Sequence, residues 1–330
     1  MKKIFKVLAI IVSVIVLGII ALLVYVKTAL PNVGAAPDLK VDVTPERIKH
    51  GEYLANHVTI CIDCHSQRDY SIWSGPVVPG SFGQGGEAFT QDLGFPGKFY
   101  AKNLTPEHIG NWTDGELFRA ITTGVNKDGK ALFPIMPWKH YGKMDPEDIK
   151  DVIAYIRTLK PIKNDPPESA PDFPMNFILN TMPEKAVPSK RPDTKDLLAY
   201  GGYMVNAAGC SECHTKSEKG KVVGEPFAGG FEFRSPDGSV IRSANITPDS
   251  ENGIGNWTEA SFVNRFKSYT DSSYQPRKIT PGTMQTVMPW TMYAGMDSLD
   301  LKAIYTYLKT VTPVKKPVVK WNPATLATNL

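Results

Sequence analysis

Cys61-Ile62-Asp63-Cys64-His65 is the stretch of this 330-residue chain that decides its fold, and a second version of it stands at Cys210-Ser211-Glu212-Cys213-His214. The two segments contain all four cysteines of the sequence. Two such pairs, far apart in the chain, do not form the disulfide framework of a small secreted domain. Each pair therefore has another use, in which the adjoining histidine takes part.

Cys-x-x-Cys-His is the attachment signal of a c-type haem. Cysteines three positions apart lie on one helical turn and can reach both vinyl groups of the haem, while the histidine coordinates the iron. Zinc usually draws two Cys-x-x-Cys pairs into one site, and a dithiol redox motif does not need the histidine. We therefore predict two covalently bound haem c groups. The predicted attachment and ligand residues are Cys61, Cys64, His65, Cys210, Cys213 and His214.

The body of the sequence repeats itself around these motifs. From about 43 to 161 and from about 196 to 313, the same landmarks come in the same order. Each half has Gly-x-Tyr before its motif, then Asn-x-Thr-Pro, Gly-Asn-Trp-Thr and Met-Pro-Trp, and finally a helical segment. Such self-similarity indicates a duplicated domain.

Methionine recurs where a sixth iron ligand is needed. Met136 and Met288 each precede Pro-Trp in a helix-poor segment, and a thioether on such a loop can reach the distal face of a haem. We predict these two as the sixth ligands. Met144 and Met296 also recur, but each precedes an aspartate N-cap in a hydrophobic-staple arrangement, which predicts packing.

The histidines outside the motifs have no histidine counterpart in the other half. His140, for example, corresponds to Met292, so a shared role as iron ligand is not expected. Ordinary surface or hydrogen-bonding roles are the prediction. The histidines concerned are His50, His57, His108 and His140.

Each half is predicted to be mainly α-helical, with few and short strands. Asp145 and Asp297 precede segments whose apolar residues recur at helical spacing, so each is expected to begin a helix. Thr113, with a glutamate three residues later, forms a capping box. Gly51 and Gly201 are expected where two helices cross closely.

The N-terminal residues predict a membrane anchor. Three lysines lie among the first six residues, and positions 7–26 are predominantly apolar without one charge. About 20 apolar residues match the hydrocarbon thickness of a bilayer, whereas a cleavable signal has an apolar region of about 7 to 15. The positive-inside rule puts the N-terminus in the cytoplasm and the body outside it, in the periplasm. A cleaved signal peptide, with Val33-Gly34-Ala35 as its small-residue site, is the alternative.

Eight prolines between 161 and 192 predict an extended connector between the halves. Its apolar side chains are expected to pack along a domain surface. The net charge of +4 is spread among acidic residues, so no nucleic-acid partner is expected. The predicted organisation is a cytoplasmic stub with a transmembrane anchor at 1–30, a first domain at 31–162, a proline-rich linker at 163–193, a second domain at 194–316 and a tail at 317–330.

The runs Asn245-Ile246-Thr247-Pro248 and Met288-Pro289-Trp290, whose pattern the first half shares, resemble the cytochrome c subunits of bacterial membrane-bound alcohol, aldehyde and gluconate dehydrogenases. The resemblance covers nearly all of the body after the anchor. It implies two tandem class I cytochrome c domains with histidine and methionine as axial ligands. It also implies that a proline carbonyl after each motif orients the proximal histidine. The candidates for that carbonyl are Pro76, Pro79 and Pro226.

A membrane-anchored dihaem electron carrier is the function that these features predict. Its partners would be redox proteins such as a dehydrogenase, a quinol-linked complex or a terminal oxidase. Methionine ligation places both haem potentials on the higher side for haem proteins. One alternative is a dihaem peroxidase or sulfur-compound oxidoreductase with one open haem site. Another is a non-catalytic subunit of a larger complex. The segment 315–330, with Trp321 and Leu326, would then either dock the partner or lie on its own domain.

Overall fold

The computed structural model describes residues 2–280 and 282–324, which form short helices joined by long loops. The α-helices are α1 Lys2–Thr28, α2 Pro45–Tyr53, α3 Cys61–Cys64, α4 Pro106–Ile109, α5 Asp114–Thr123, α6 Trp138–Tyr141, α7 Pro146–Ile156, α8 Met175–Ile178, α9 Leu197–Ala207, α10 Cys210–His214, α11 Glu259–Lys267, α12 Trp290–Tyr293 and α13 Ser298–Leu308. The strands are β1 Ala88–Phe89, β2 Gly97–Tyr100, β3 Ala170–Pro171, β4 Ser217–Glu218, β5 Lys221–Val222, β6 Glu232–Arg234, β7 Val240–Arg242 and β8 Trp321–Asn322. They form three small antiparallel sheets, in the orders β1-β2-β3, β4-β5 and β6-β7-β8.

Helix α1 is the one helix in the described part of the chain that is long and apolar enough to cross a membrane. None of its residues is buried against the rest of the protein. Its C-terminal end meets the connector, where the Asn180 amide donates to the carbonyl of Val26 at 3.3 Å. The Lys27 ammonium also lies 5.8 Å from the centre of the Phe177 ring.

Two helix pairs form the centre of the fold, α2 against α7 and α9 against α13. Both pairs cross at a glycine. A Cβ at Gly51 would lie 1.8 Å from the Asp151 carbonyl oxygen, and a Cβ at Gly201 would lie 2.0 Å from that of Ala303. No side chain fits in either gap, so the predicted close crossing is confirmed at both glycines.

The predicted helix starts are present. Thr113 and Glu116 form the reciprocal capping box at the start of α5. The Asp145 side chain accepts from the Glu147 N–H at the start of α7, which has proline in its first turn. Asp297 is the N-cap residue of α13 but makes no side-chain capping bond. The local cap signals therefore mark the right positions in both halves.

A π-helical turn, Leu54–Val58, separates α2 from the first cysteine motif. Ten positions separate Gly51 from Cys61 (61 − 51), and nine separate Gly201 from Cys210 (210 − 201). A π turn accommodates one additional residue in a helix. The two motifs therefore follow their glycine crossings in the same structural place, although the spacing in sequence differs by one.

The connector lies along the first half, but its apolar residues pack only in part, because Leu179 is buried whereas Phe173 is 80% exposed. Its strand β3 pairs with β2, and the Val187 N–H donates to the Gly142 carbonyl at 2.9 Å. The tail lies on the second half as far as it is described, because β8 pairs with β7. Trp321 is in that strand, whereas Leu326 lies outside the described residues.

The two halves meet through reciprocal tyrosine–aspartate contacts. The Tyr203 hydroxyl donates to Asp148 at 2.5 Å and accepts from the Asp145 N–H at 3.0 Å. In the other direction, the Tyr53 hydroxyl donates to Asp300 and accepts from the Asp297 N–H. Both Asp148 and Asp300 are almost fully buried, and burial raises the pKa of each carboxyl group. Each half thus completes the hydrogen bonding of a buried acid in the other.

Replacing Tyr203 by Phe is expected to lower the free energy of unfolding by about 1–3 kcal/mol, because the buried Asp148 carboxylate keeps, among the described residues, only its hydrogen bond from Arg191 and the Asp145 N–H loses its acceptor. Denaturant unfolding of the detergent-solubilised protein measures the change. The matched control is Tyr274→Phe, since the Tyr274 hydroxyl has no hydrogen-bond partner among the described residues. Equal stability of the two variants would show that the contact does not stabilise the interface.

Candidate haem sites

Each cysteine motif forms a single short helix, α3 or α10, that begins after a residue with left-handed backbone. Those residues are Ile60, with φ of 47°, and Gly209, with φ of 61°. A β-branched residue rarely adopts this conformation, and such outliers concentrate at functional sites. The turn presents both cysteines of each motif and the following histidine within one helical turn. Residues so placed fit the attachment of one haem per motif.

The thiols do not have the properties of a redox-active dithiol. Burial raises the pKa of the Cys64 and Cys210 thiols to about 12 in each case. A reactive dithiol has a lowered pKa that stabilises the thiolate. Partly buried neutral sulfurs suit covalent attachment to an apolar group better than disulfide exchange.

Both motif histidines are oriented by a backbone carbonyl. His65 Nδ1 lies 2.7 Å from the Lys102 carbonyl oxygen, and His214 Nδ1 lies 2.7 Å from that of Ala244. Because a carbonyl only accepts, Nδ1 carries the hydrogen and Nε2 keeps its lone pair. Burial lowers the pKa of both imidazoles, which favours the neutral form that binds a metal. Both Nε2 atoms are therefore available as iron ligands.

The expected proline carbonyls do not orient these histidines, so that prediction is wrong. The acceptors come instead from the segment that leads into Asn-x-Thr-Pro in each half. The Pro76 carbonyl accepts from the Asp69 N–H at 2.9 Å, so it closes a local turn instead. The prolines whose carbonyls were expected to orient the histidines are Pro76, Pro79 and Pro226.

Glycines hold the acceptor segment against each motif. The Gly85 N–H donates to the His65 carbonyl, and the Gly229 N–H donates to the His214 carbonyl, both at 2.8 Å. A Cβ would lie 2.6 Å from the Asn103 nitrogen at Gly85, and 2.4 Å from the backbone of the acceptor segment at Gly229. Both glycines have positive φ, which suits glycine alone among common residues. The crossing places the carbonyl within reach of the imidazole.

A buried asparagine then fixes the acceptor segment itself. The Asn103 amide donates to the Ile162 carbonyl at 2.8 Å, and its oxygen accepts from the Thr105 N–H at 2.8 Å. Asn245 makes the equivalent bonds to Val314 and to the threonine two residues on. The repeated Asn-x-Thr-Pro thus has a positioning role that the sequence did not reveal, although its recurrence was the available signal.

Met136 and Met288 both lie half-buried in loops directly before α6 and α12. Their role as sixth ligands stays a prediction. Met144 and Met296 are each 1% exposed and belong to the hydrophobic core, so their predicted packing role is confirmed.

Hydrogen bonding is confirmed for three of the histidines outside the motifs. His140 Nδ1 lies 2.9 Å from Asn206 Oδ1, and its Nε2 lies 2.6 Å from Glu212 Oε1. His57 binds a backbone carbonyl of the second half at 2.8 Å, and His50 binds a carboxylate of α7 at 2.8 Å. The His140 contact reaches the second cysteine motif, because Glu212 lies between its two cysteines.

The tryptophans of the two Met-Pro-Trp segments have different surroundings. Trp138 is fully buried, and its indole nitrogen has no hydrogen-bond partner among the described residues. Trp290 is partly exposed, stacks on Tyr269 at 5.6 Å and carries the Arg265 guanidinium at 4.1 Å from its ring. A buried donor without a partner is costly unless a bound group supplies an acceptor. A haem, with its carboxylate side chains, fits that requirement at Trp138.

Comparison with known proteins agrees with this chemistry. Residues 198–312 match the family model of cytochrome c. The chain is 28% identical over 288 residues to the cytochrome c subunit of alcohol dehydrogenase (quinone) from Gluconobacter oxydans (strain 621H), covering 83% of this chain and 56% of that protein. It is 30% identical over 295 residues to the fructose dehydrogenase cytochrome subunit of Gluconobacter japonicus, covering 85% and 56% respectively.

A third relative is a diheme cytochrome c-type protein of Cereibacter sphaeroides, 27% identical over 268 residues, which covers 77% of this chain and 83% of that protein. The resemblance to cytochrome c subunits of dehydrogenases is thereby confirmed. The chain spans little more than half the length of the dehydrogenase subunits, at 56% for both of those described above.

Proposed function

We propose, from the premise that residues 198–312 match the family model of cytochrome c, that the chain is a membrane-anchored dihaem cytochrome c that transfers electrons outside the cytoplasm. The observation that carries the proposal is the pair of motif histidines, each of which donates from Nδ1 to a backbone carbonyl and leaves Nε2 free. Each of these histidines directly follows a Cys-x-x-Cys pair. This arrangement supports two haem sites of the same kind.

A bound haem c supplies an iron that takes up and releases one electron. The cysteines would hold the haem covalently, and the Nδ1 bonds hold each imidazole in one orientation, in which Nε2 could bind the iron. The thioethers of Met136 and Met288 would supply the second protein ligand to each iron and would exclude other ligands. The residues proposed to hold the two groups are Cys61, Cys64, His65 and Met136, and Cys210, Cys213, His214 and Met288.

The proposed organisation is two tandem class I domains, 31–162 and 194–316, joined by the linker 163–193. The same order of helices, glycine crossings and carbonyl acceptors in both halves supports it. Two irons that both carry a methionine ligand, as proposed, would favour an electron carrier over an enzyme, because a catalytic haem needs an accessible iron.

Helix α1 is proposed as the anchor, with the lysine-rich N-terminus in the cytoplasm and the body in the periplasm. The partners of the chain are proposed to be redox proteins, foremost a dehydrogenase, because the relatives are cytochrome subunits of dehydrogenases. A protein held at the membrane surface meets membrane-bound partners at a raised effective concentration.

A carbon monoxide difference spectrum of the reduced, detergent-solubilised protein tests the proposal. We expect essentially no change, because a well-held methionine competes with carbon monoxide for the iron. Met136→Ala serves as positive control, since it opens one iron. Carbon monoxide binding by the unaltered protein would instead indicate an open site and favour a dihaem peroxidase or sulfur-compound oxidoreductase.

A further inference from the structure

A loop of the first half, residues 68–75, lies against the methionine segment of the second half. The Ser74 hydroxyl donates to the Met288 carbonyl at 2.8 Å and accepts from the Trp290 N–H at 2.9 Å. These two bonds span Pro289, which has no N–H of its own. One hydroxyl thus joins both ends of the Met-Pro-Trp segment.

Further bonds hold the loop at this place. The Ser74 N–H donates to Gln285 Oε1 at 3.0 Å, and the Gln285 amide donates to the carbonyls of Tyr70 and Ile72 at 3.0 and 2.8 Å. The Arg277 guanidinium lies 3.8 Å from the centre of the Trp73 ring. The contact is therefore built from several directional interactions.

Ser74 is constrained from its own side as well. It is fully buried and has φ of +68°, a conformation that serine adopts only when its surroundings impose it. The Arg68 guanidinium donates to the Ser74 carbonyl at 2.7 Å and pairs with Asp63 at 3.0 Å. Since Asp63 lies between Cys61 and Cys64, an unbroken set of contacts joins the first motif to Met288.

The first methionine has no such support. The backbone N–H of Trp138 donates to the Met136 carbonyl at 2.8 Å, and the backbone N–H of Trp290 donates to the Met288 carbonyl at the same distance. Within residues 2–280 and 282–324, however, no side chain of the second half bonds to that segment. The reason lies in loop length, because 20 positions separate His65 from Gly85 (85 − 65) and only 15 separate His214 from Gly229 (229 − 214). The longer first loop reaches across, and the shorter one does not.

We propose that the loop 68–75 positions Met288 as the axial ligand of the second haem, with Ser74 as the positioning residue. The inference rests on the proposed role of Met288 as an iron ligand. It makes the two haems unequal: the first half bonds directly to the Met288 segment and stabilises the closed state of the second haem, whereas the hydrogen bonds of the second half, as far as it is described, reach no nearer to Met136 than His140, through Asn206 and Glu212. The second haem should accordingly be the one whose potential responds to changes in the other half.

Ser74→Gly is the decisive variant, because glycine accepts the positive φ without strain and removes the hydroxymethyl group that makes both bonds. In the detergent-solubilised full-length holoprotein, we expect the charge-transfer band of the ferric iron–thioether bond to weaken at one haem only. After reduction, carbon monoxide should bind that haem, and its potential should fall while the other stays unchanged. Ser81→Ala removes another buried hydroxyl of the first half, distant from Met288 in the bonding pattern, and should leave the second haem unaltered.

Met288→Ala identifies the signals that belong to the second haem and separates the two ways of failing. If Met288→Ala changes neither band nor potential, the proposed ligand is wrong. If Met288→Ala changes both and Ser74→Gly changes neither, the ligand stands and the positioning role is overturned. Gln285→Ala removes a second set of hydrogen bonds to the loop. It tests the positioning role if Ser74→Gly does not fold. It is expected to shift the same haem in the same direction.

Discussion

Replacing both Cys210 and Cys213 by serine should leave a chain with one covalent haem instead of two. A serine hydroxyl does not form the thioether, so the second haem is lost under denaturing conditions while the first is retained. Haem staining after denaturing electrophoresis and the pyridine haemochrome content per chain measure the loss. We expect half of the unaltered value for both.

The matched variant, Cys61→Ser with Cys64→Ser, should lose the other half, and the four-fold variant should lose all covalent haem. The two double variants also assign each haem signal to its motif. Full retention of haem in either double variant would contradict the assignment of that motif.

Replacing Gly201 by alanine should destabilise the protein by about 3 kcal/mol, because the added methyl would lie 2.0 Å from the Ala303 carbonyl oxygen. The helices α9 and α13 would have to separate, and backbone cannot move aside as a side chain can. Unfolding in denaturant, followed by circular dichroism, gives the change in free energy.

Gly202→Ala is the control for this effect. It makes the same chemical change one residue later in the same helix, where the nearest atoms are ring carbons of Tyr307 at 3.1–3.2 Å. That ring can shift slightly, so the cost should be much smaller. Similar losses in both variants would show that lost backbone flexibility or helix propensity, and not the crossing, governs the result.

Much of the local structure follows from short-range patterns. The capping box at Thr113 and the glycine crossings at Gly51 and Gly201 were predictable, because each depends on residues of one helix or on the absence of one side chain. The fixed spacing within Cys-x-x-Cys-His likewise places its members on one turn. Such signals lie within a few adjacent residues, so they can be recognised without knowledge of the tertiary fold.

The carbonyls that orient the histidines were not predictable in the same way. Every residue has a backbone carbonyl, so the residue type does not indicate which carbonyl accepts the bond. The acceptor at Lys102 lies 37 residues after its histidine, and the one at Ala244 lies 30 residues after. The contact between Tyr53 and Asp300 spans 247 residues, and that between Ser74 and Met288 spans 214. Only the folded chain brings these groups together.

The reciprocal contacts of Tyr53 and Tyr203 also bear on cooperativity. Because each half supplies the hydrogen-bond donor to a carboxyl group buried in the other, local opening of either half removes a partner from both. Opening of one half should therefore also destabilise the other, and we expect the two halves to unfold as one thermodynamic unit. Two halves that share the same order of sequence landmarks are thus expected to unfold together.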